Sequence, residues 1–217
     1  MNADLFDDLP DFNLQQIYLD DGAFLLRGFA KDVDAALMSA FEKVVVQSPL
    51  RHMVTPGGFR MSVVMSNCGQ VGWITDRNGY RYDVTDPETG RPWPALPEIF
   101  IDIARRAAMR AGYDNFLPDA CLINCYEPGA RLSLHQDRDE RDESAPIVSV
   151  SLGLPAVFLF GGLSRTIRPK RYQLVHGDVA VWGGPSRFNF HGIAPLLGGY
   201  HPILGGKRIN LTFRKAL

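Results

Sequence analysis

Hydrophobic and polar positions follow two different periods along the chain. Two stretches in the first half repeat their apolar residues at helical spacing. In DVDAALMSAFEKVVVQ, Val33, Leu37, Ala40, Phe41, Val44 and Val45 fall on one side of a helix, with Asp32 or Asp34 placed to cap its start. In LPEIFIDIARRAAMRAGY, Phe100, Ile103, Ala107 and Ala111 keep one face apolar, Pro97 suits a first turn and Gly112 a C-terminal stop. From Ala120 onward the period drops to two. CLINCY, RLSLH, IVSVSL, AVFLF, YQLV, DVAVW, RFNFH and RINLTF are short strand-like runs separated by Gly, Pro or charged turns, with no helical pattern between them. Such spacing predicts an antiparallel sandwich or barrel, a jelly roll being its natural closure. The expected fold class is therefore mainly β with flanking helices (α+β).

Between the helical stretches, residues 48–95 are rich in Gly, Asn, Pro and aromatics and read as hairpins and loops around short strands, a candidate lid. No internal repeat or low-complexity linker divides the chain. With 217 residues and 46% hydrophobic content it is long enough to bury one sizeable core. The net charge of −1 and pI near 6.5 exclude a protein that coats nucleic acid by bulk charge. Any phosphate contact must come from a local patch. The N-terminal stretch MNADLFDDLPDFNLQQIYLDDG is acidic and lacks the basic and apolar regions of a secretory signal, and the most apolar run, Val148 to Leu163, is broken by Ser, Gly and Pro155. Cys68, Cys121 and Cys125 form neither an even set nor a CxxC pair, which suits packed thiols in a reducing compartment. No membrane contact and a cytoplasmic location are expected.

The chemistry concentrates in LSLHQDRDE, Leu132 to Glu140. Residues two apart on a strand point the same way, so His135 and Asp137 converge if the strand persists through Asp137. A His-x-Asp pair alone is more often a histidine hydrogen-bonded to a nearby acid, so a third ligand is needed. His176 sits in a turn and His201 in a Gly-rich loop, whereas His191 ends the alternating run RFNFH and shares a face with Arg187 and Asn189. Two histidines and one carboxylate leave three positions of an octahedral metal open, which suits non-haem Fe(II) and oxygen activation. In RINLTFR, Arg208, Asn210, Thr212 and Arg214 fall on one face and Ile209, Leu211 and Phe213 on the other. An ordinary half-exposed strand would look the same. If that polar face points inward instead, its two arginines are placed to hold a small dicarboxylate between them.

The constellation His135-x-Asp137, His191 and Arg208 to Arg214 resembles the Fe(II)- and 2-oxoglutarate-dependent dioxygenases, whose core is a double-stranded β-helix. NCY at Asn124 to Tyr126, HGDVAVWGG, HGI, RINLTFR and, upstream, MVTPGGFRMSVVMSNCG extend the resemblance over nearly the whole chain to the AlkB family of alkylated-DNA repair dioxygenases. Cys125, Ile209 and the loop after Arg165 stand out as departures from the pattern, the last bearing on which nucleic-acid strand is preferred. The resemblance implies one catalytic domain over 1–217, with a nucleotide-recognition lid at 48–95 and a double-stranded β-helix core at 120–217. It implies Fe(II) held by His135, Asp137 and His191, with 2-oxoglutarate and O2 as co-substrates. Arg208 would pair with the distal carboxylate of 2-oxoglutarate, Asn124 and Tyr126 nearby, and Arg214 and Asn210 would serve its chelating end. Trp73 and Asp139 would meet the damaged base, and Thr55, Met65, Tyr80 and Arg165 would hold the nucleotide.

The implied activity is oxidative demethylation of N-alkylated bases such as 1-methyladenine or 3-methylcytosine in DNA repair, by a monomer acting on single-stranded DNA or a flipped base, with RNA a further candidate partner. The positively charged residues of SRTIRPKR (Arg165, Arg168, Lys170, Arg171), with Arg51, Arg60, Arg77 and Arg81, are candidates for phosphate contact, and the charge after Asp137 is expected to face substrate. Two other readings stay open at this point: a dioxygenase of the same core acting on a protein or small molecule, and a non-catalytic jelly-roll binding module.

Overall fold

Which way each strand faces decides how the core is divided. The structure, a computed structural model, describes residues 15–217; the first part of the acidic N-terminal stretch read above, residues 1–14, lies outside them. The chain runs through β1 (Gln16–Asp20), β2 (Ala23–Leu26), α1 (Asp34–Gln47), β3 (Arg51–Val54), β4 (Arg60–Gly69), β5 (Gly72–Asp76), β6 (Gly79–Asp83) and α2 (Glu98–Arg110). It continues through β7 (Ala120–Tyr126), β8 (Leu132–His135), β9 (Ile147–Gly153), β10 (Ala156–Phe160), β11 (Lys170–Leu174), β12 (Val179–Trp182), β13 (His191–Ile193) and β14 (Arg208–Arg214). One sheet has the order β1-β2-β12-β9-β14-β7-β4-β3, the facing sheet β11-β10-β13-β8, and β5 and β6 form a separate hairpin. This is the expected jelly roll with two flanking helices.

The central strands β7, β9 and β14 sort their residues by alternation. Cys121, Ile123 and Cys125, Val148, Val150 and Leu152, and Ile209, Leu211 and Phe213 face outward and pack with the buried stripes of α1 and α2. Phe100 of α2 meets Phe213 edge to face at 5.8 Å between centroids. Burying a phenylalanine there stabilises the fold by about 2–3 kcal/mol. The opposite faces of the same strands carry Asn124, Ser149, Ser151, Arg208, Asn210, Thr212 and Arg214, all buried. The helices thus cover the apolar face of the large sheet and leave its polar face to the interior of the roll. Cys125 and Ile209, two of the departures from the family pattern, lie on the helix side, away from that interior. All three cysteines are free and buried.

Several local expectations change. β8 stops at His135, so Asp137 lies in the following loop. RFNFH is a strand only from His191; before it a 3-10 turn at Gly184–Ser186 leads into a bend, where Asn189 N–H donates to Ser186 O at 2.9 Å. Side-chain bonds from Asn189 to Ser186 and Asp20 and from Arg187 to Asp137 O and Ala145 O offer that segment an alternative to a ladder. Neither Asp32 nor Asp34 caps α1 with its side chain; Asp34 lies in the first turn, where its charge favours the helix N-terminus, and meets His176 at 2.9 Å. Gly112, at φ 88°, ends α2 as expected. Within 48–95, β4 is longer than expected and joins β3 to the large sheet, because it pairs with β7 from Val64 to Gly69. No helix among the described residues is long and apolar enough to cross a membrane.

The loop after β6 is stapled to the edge of the large sheet by Asp86. It accepts from Arg51 Nη1, from Arg51 Nη2 at 2.6 Å and from Ser48 Oγ at 3.0 Å. Burial pushes the Asp86 carboxyl up, but the Arg51 guanidinium and the other donors outweigh it and hold it down at about 2. A folded-state value below the unfolded one, about 3.9, means that this stabilisation is present above pH 4 and is lost as pH falls through 2. Asp86→Asn is expected to cost about 3 kcal/mol in urea unfolding at pH 7. The difference from the parent protein should shrink between pH 4 and pH 2.

Candidate metal centre and cavity

His135 ends β8 and His191 begins β13, and the antiparallel register sets the two residues opposite one another, with ring centroids 4.4 Å apart. Asp137 reaches them from the loop: Oδ1 lies 3.7 Å from His135 Nε2 and Oδ2 3.9 Å from His191 Nε2. The candidate ligand atoms of the three lie within 4.8 Å of one another. The strand ladder ends at His135, and the irregular segment after β8 brings Asp137 to this point.

The tautomers follow from the backbone. Nδ1 of His135 lies 2.8 Å from Ser133 O and Nδ1 of His191 3.0 Å from Asn189 O. A carbonyl only accepts, so each Nδ1 carries the proton and each Nε2 offers its lone pair to the centre. Burial, with His135 alongside, pushes the His191 imidazole down to about 4 against the pull of Asp137, so it is neutral at physiological pH. For Asp137, burial favours the neutral acid, but Arg214 and the two imidazoles prevail and hold it below the usual carboxylate range. One anionic oxygen and two imidazole nitrogens, gathered on one side of a cavity, fit a divalent iron with open positions. A closed structural zinc site would need a fourth protein ligand.

The cavity, about 980 Å³, lies between the two sheets, and every site position singled out from the sequence lines it: Thr55, Met65, Trp73, Tyr80, Asn124, Tyr126, His135, Asp137, Asp139, Arg165, His191, Arg208, Asn210 and Arg214. The two arginines of β14 are not equivalent there. Arg214 donates to Asp137 Oδ2 from Nε at 3.1 Å and from Nη2 at 2.9 Å, and its Nε also lies 3.2 Å from Glu140. It is tied to the ligand loop and also lines the cavity. Arg208 is 1% exposed, gives Nη2 to Ser151 Oγ at 2.9 Å, and leaves Nε and Nη1 without a partner. Its guanidinium lies 4.9 Å from the Tyr126 ring centroid, and Asn124 Oδ1 is also buried and unpaired. A buried fork with two free donors is costly alone and matches a carboxylate. Asn210 spends its amide on Ser149 Oγ and Val150 O and accepts from Thr212.

At the mouth, Trp73 Nε1 donates to Asp139 Oδ2 at 2.8 Å and the Trp73 ring stacks on Tyr80, 5.7 Å between centroids. Arg165 lies 5.1 Å from the Phe190 ring centroid, and Thr55 Oγ1 accepts from Phe59 N–H in the β3–β4 turn. The candidate phosphate contacts divide. Arg51 is bound to Asp86, and Arg81 to Asp76 at 2.8 Å, so neither is free, whereas Arg60 and Arg165 line the cavity. The acidic run after Asp137 also divides, because Glu140 turns inward to Arg187 and Arg214. Glu140 and Arg187 were not singled out as site residues from the sequence. A charged run reads as solvated, and their partners are distant in the chain.

A family model, the 2OG-Fe(II) oxygenase superfamily, matches residues 22–214. The chain is 60% identical to the "Alpha-ketoglutarate-dependent dioxygenase AlkB" of Salmonella typhimurium, over 90% of each chain. It is 32% identical to the "tRNA demethylase abh1" of Schizosaccharomyces pombe, over 66% of this chain and 52% of that protein. Among solved structures, OsALKBH1 superposes with a TM-score of 0.81 at 30% identity, covering 93% of this chain and 100% of that one.

Asp137→Ala removes the only anionic member of the triad and strips Arg214 of its main partner. Calorimetric titration with Mn(II) should show metal affinity reduced at least 100-fold, and unfolding should show a loss of about 3–5 kcal/mol.

Proposed function

The chain belongs to the AlkB dioxygenases within the 2OG-Fe(II) oxygenase superfamily, and on that premise we propose that it removes N-alkyl groups oxidatively from nucleic-acid bases of the 1-methyladenine and 3-methylcytosine type. The observation that carries the substrate is the pair at the mouth of the cavity, an indole face and a carboxylate joined at 2.8 Å. Such alkylated bases are cationic, and a cation gains from both an aromatic face and a negative charge, whereas the undamaged neutral base gains little from either. The relative named a tRNA demethylase supports the same reaction class.

When bound, Fe(II) with 2-oxoglutarate and O2 supplies the oxidation of the N-methyl carbon, giving succinate, CO2 and, from the hydroxymethyl group, formaldehyde and the restored base. The protein supplies the rest. His135, Asp137 and His191 hold the metal with their lone pairs already directed inward. Arg208 takes the distal carboxylate of 2-oxoglutarate with Nε and Nη1, beside Tyr126 and Asn124. Arg214 keeps Asp137 ionised and seated, next to the chelating end of the co-substrate and Asn210. Trp73, backed by Tyr80, stacks on the base while Asp139 takes its positive edge. Thr55, Met65 and Arg165 complete the nucleotide's surroundings, and Arg60 and Arg165 sit where flanking phosphates pass. The hairpin β5–β6 and the β3–β4 turn, within 48–95, act as the recognition lid over the core of 120–217, in a single catalytic domain. A base in a duplex cannot reach a centre this deep, so the substrate is single-stranded DNA or a flipped base, with RNA a second candidate. Three buried free thiols suit a reducing cytoplasm, and a monomer completes the reading.

Incubation with Fe(II), 2-oxoglutarate, air and a single-stranded oligonucleotide carrying one 3-methylcytosine should show loss of 14 mass units per strand, about one methylene, with matching formaldehyde. Trp73→Ala should lower kcat/KM for that oligonucleotide roughly 10- to 100-fold. Succinate without removal of the methyl from any alkylated base would move the substrate to another class. Arg208→Ala should raise the KM for 2-oxoglutarate roughly 10- to 100-fold, the loss of a charge-assisted pair, with the metal affinity unchanged.

A further inference from the structure

The hairpin that carries Trp73 touches the metal-ligand segment at two points, and the second ends on a buried carboxylate. Trp73 of β5 and Tyr82 of β6 are directly paired across the hairpin, so their side chains project from the same face. They reach consecutive residues. Trp73 Nε1 donates to Asp139 at 2.8 Å, and Tyr82 Oη donates to Glu140 Oε1 at 2.7 Å. The first contact is exposed to solvent and stands where a substrate enters. The second ends on a carboxylate that is 6% exposed, and the Tyr82 ring packs against Val71, Ala120 and Ala216.

Glu140 also joins the two arginines that seat Asp137. Its Oε1 lies 3.2 Å from Arg214 Nε, and its Oε2 accepts from Arg187 Nη2 at 3.0 Å. Arg214 holds the Asp137 carboxylate, and Arg187 Nη1 donates to the Asp137 backbone carbonyl at 2.8 Å. The remaining side-chain bonds of the hairpin go elsewhere: Asn67 brackets the Trp73 backbone, Thr75 reaches Val54 O, and Trp93 donates to Asp83 O. Among the described residues, Tyr82 therefore makes the one side-chain bond between the hairpin and the ligand segment that ends on a buried acceptor, and neither Tyr82 nor Glu140 lines the cavity.

We infer that Tyr82 and Glu140 are positioning residues that key the base-binding hairpin to the metal centre, so that the Trp73–Asp139 contact can open for a base while Trp73 keeps its register over the triad. The inference rests on the reading of Trp73 as the platform for the alkylated base. A base entering between Trp73 and the triad competes for the oxygen that Trp73 now holds, and a hairpin joined to the ligand segment only through that bond would lose its registration to that segment as the substrate arrived. The bond to Glu140 lies outside the cavity lining and shares its acceptor with the Asp137 support, so the platform and the metal ligand move as one body.

Tyr82→Phe tests this, since it removes one hydroxyl and keeps the ring and its packing. In the metal-free protein, amide exchange over 72–83 should quicken about tenfold. In the loaded enzyme, the formaldehyde formed per succinate on a 3-methylcytosine oligonucleotide should fall several-fold, while succinate formation without oligonucleotide stays as in the parent protein. Glu140→Gln keeps an acceptor for Tyr82 and should leave the hairpin exchange at the parent rate. Hairpin exchange within twofold of the parent in Tyr82→Phe, equal loosening in Glu140→Gln, or an equal loss of oligonucleotide-free succinate formation in Tyr82→Phe would each overturn the inference. A parent protein that forms no formaldehyde from any alkylated base would instead sink the demethylase reading, and the exchange rates alone would still decide whether Tyr82 fastens the hairpin.

Discussion

The buried pair between Asp137 and Arg214 is the constraint from which the rest of the interior follows. Two charges removed from water stabilise nothing unless their geometry and remaining bonds are complete, and here they are: Arg214 grips one carboxylate oxygen with two donors and shares its Nε with Glu140. That requirement explains why β14 carries a polar face toward the inside of the roll and why the loop after β8 must turn back across it. It also leaves the carboxylate ionised between two imidazoles whose Nε2 atoms face the same point. The charge and the donor set of the centre are thus in place through protein contacts alone.

The partition of the large sheet makes such an interior affordable. Alternation sends Ile209, Leu211 and Phe213 out to the helices and Arg208, Asn210, Thr212 and Arg214 in to the cavity. Hydrophobic burial against α1 and α2 provides the stability that the polar side does not. Within the polar side, most groups are mutually satisfied: Asn210 with Ser149, Val150 and Thr212, and Arg187 with Asp137, Ala145 and Glu140. The exceptions are informative. Among the described residues, Arg208 Nε and Nη1, Asn124 Oδ1 and Trp182 Nε1 are the buried side-chain groups left unpaired, and all three residues line the cavity where a dicarboxylate co-substrate would rest.

The regular part of this design was legible in the sequence because it is periodic. RINLTFR and CLINCY display their two faces directly, the helical stripes of α1 and α2 are unambiguous, and the family resemblance supplied residues that all line one cavity. What escaped was local and aperiodic. RFNFH alternates perfectly, yet hydrogen bonds from Asn189 and Arg187 bend it before His191, and a period-two pattern cannot distinguish such a bend from a strand. Glu140 looked like one more solvated acid in DRDERDE, because its partners Tyr82, Arg187 and Arg214 are far away in the chain. Arg51 looked available for phosphates for the same reason, since Asp86 finds it only in the fold, whereas Arg81 is taken by Asp76 across its own hairpin, five residues away.

The most direct test of a metal centre built by His135, Asp137 and His191 and completed by a carboxylate on Arg208 is an anaerobic titration. Fe(II)-loaded protein would be titrated with 2-oxoglutarate while the visible charge-transfer band of a 2-oxo acid chelated to Fe(II) is recorded. The account predicts a saturable band in the parent protein, the same band at much higher 2-oxoglutarate in Arg208→Ala, and none in Asp137→Ala. A parent protein that binds iron without developing the band, or an Asp137→Ala protein that keeps it, would contradict the account.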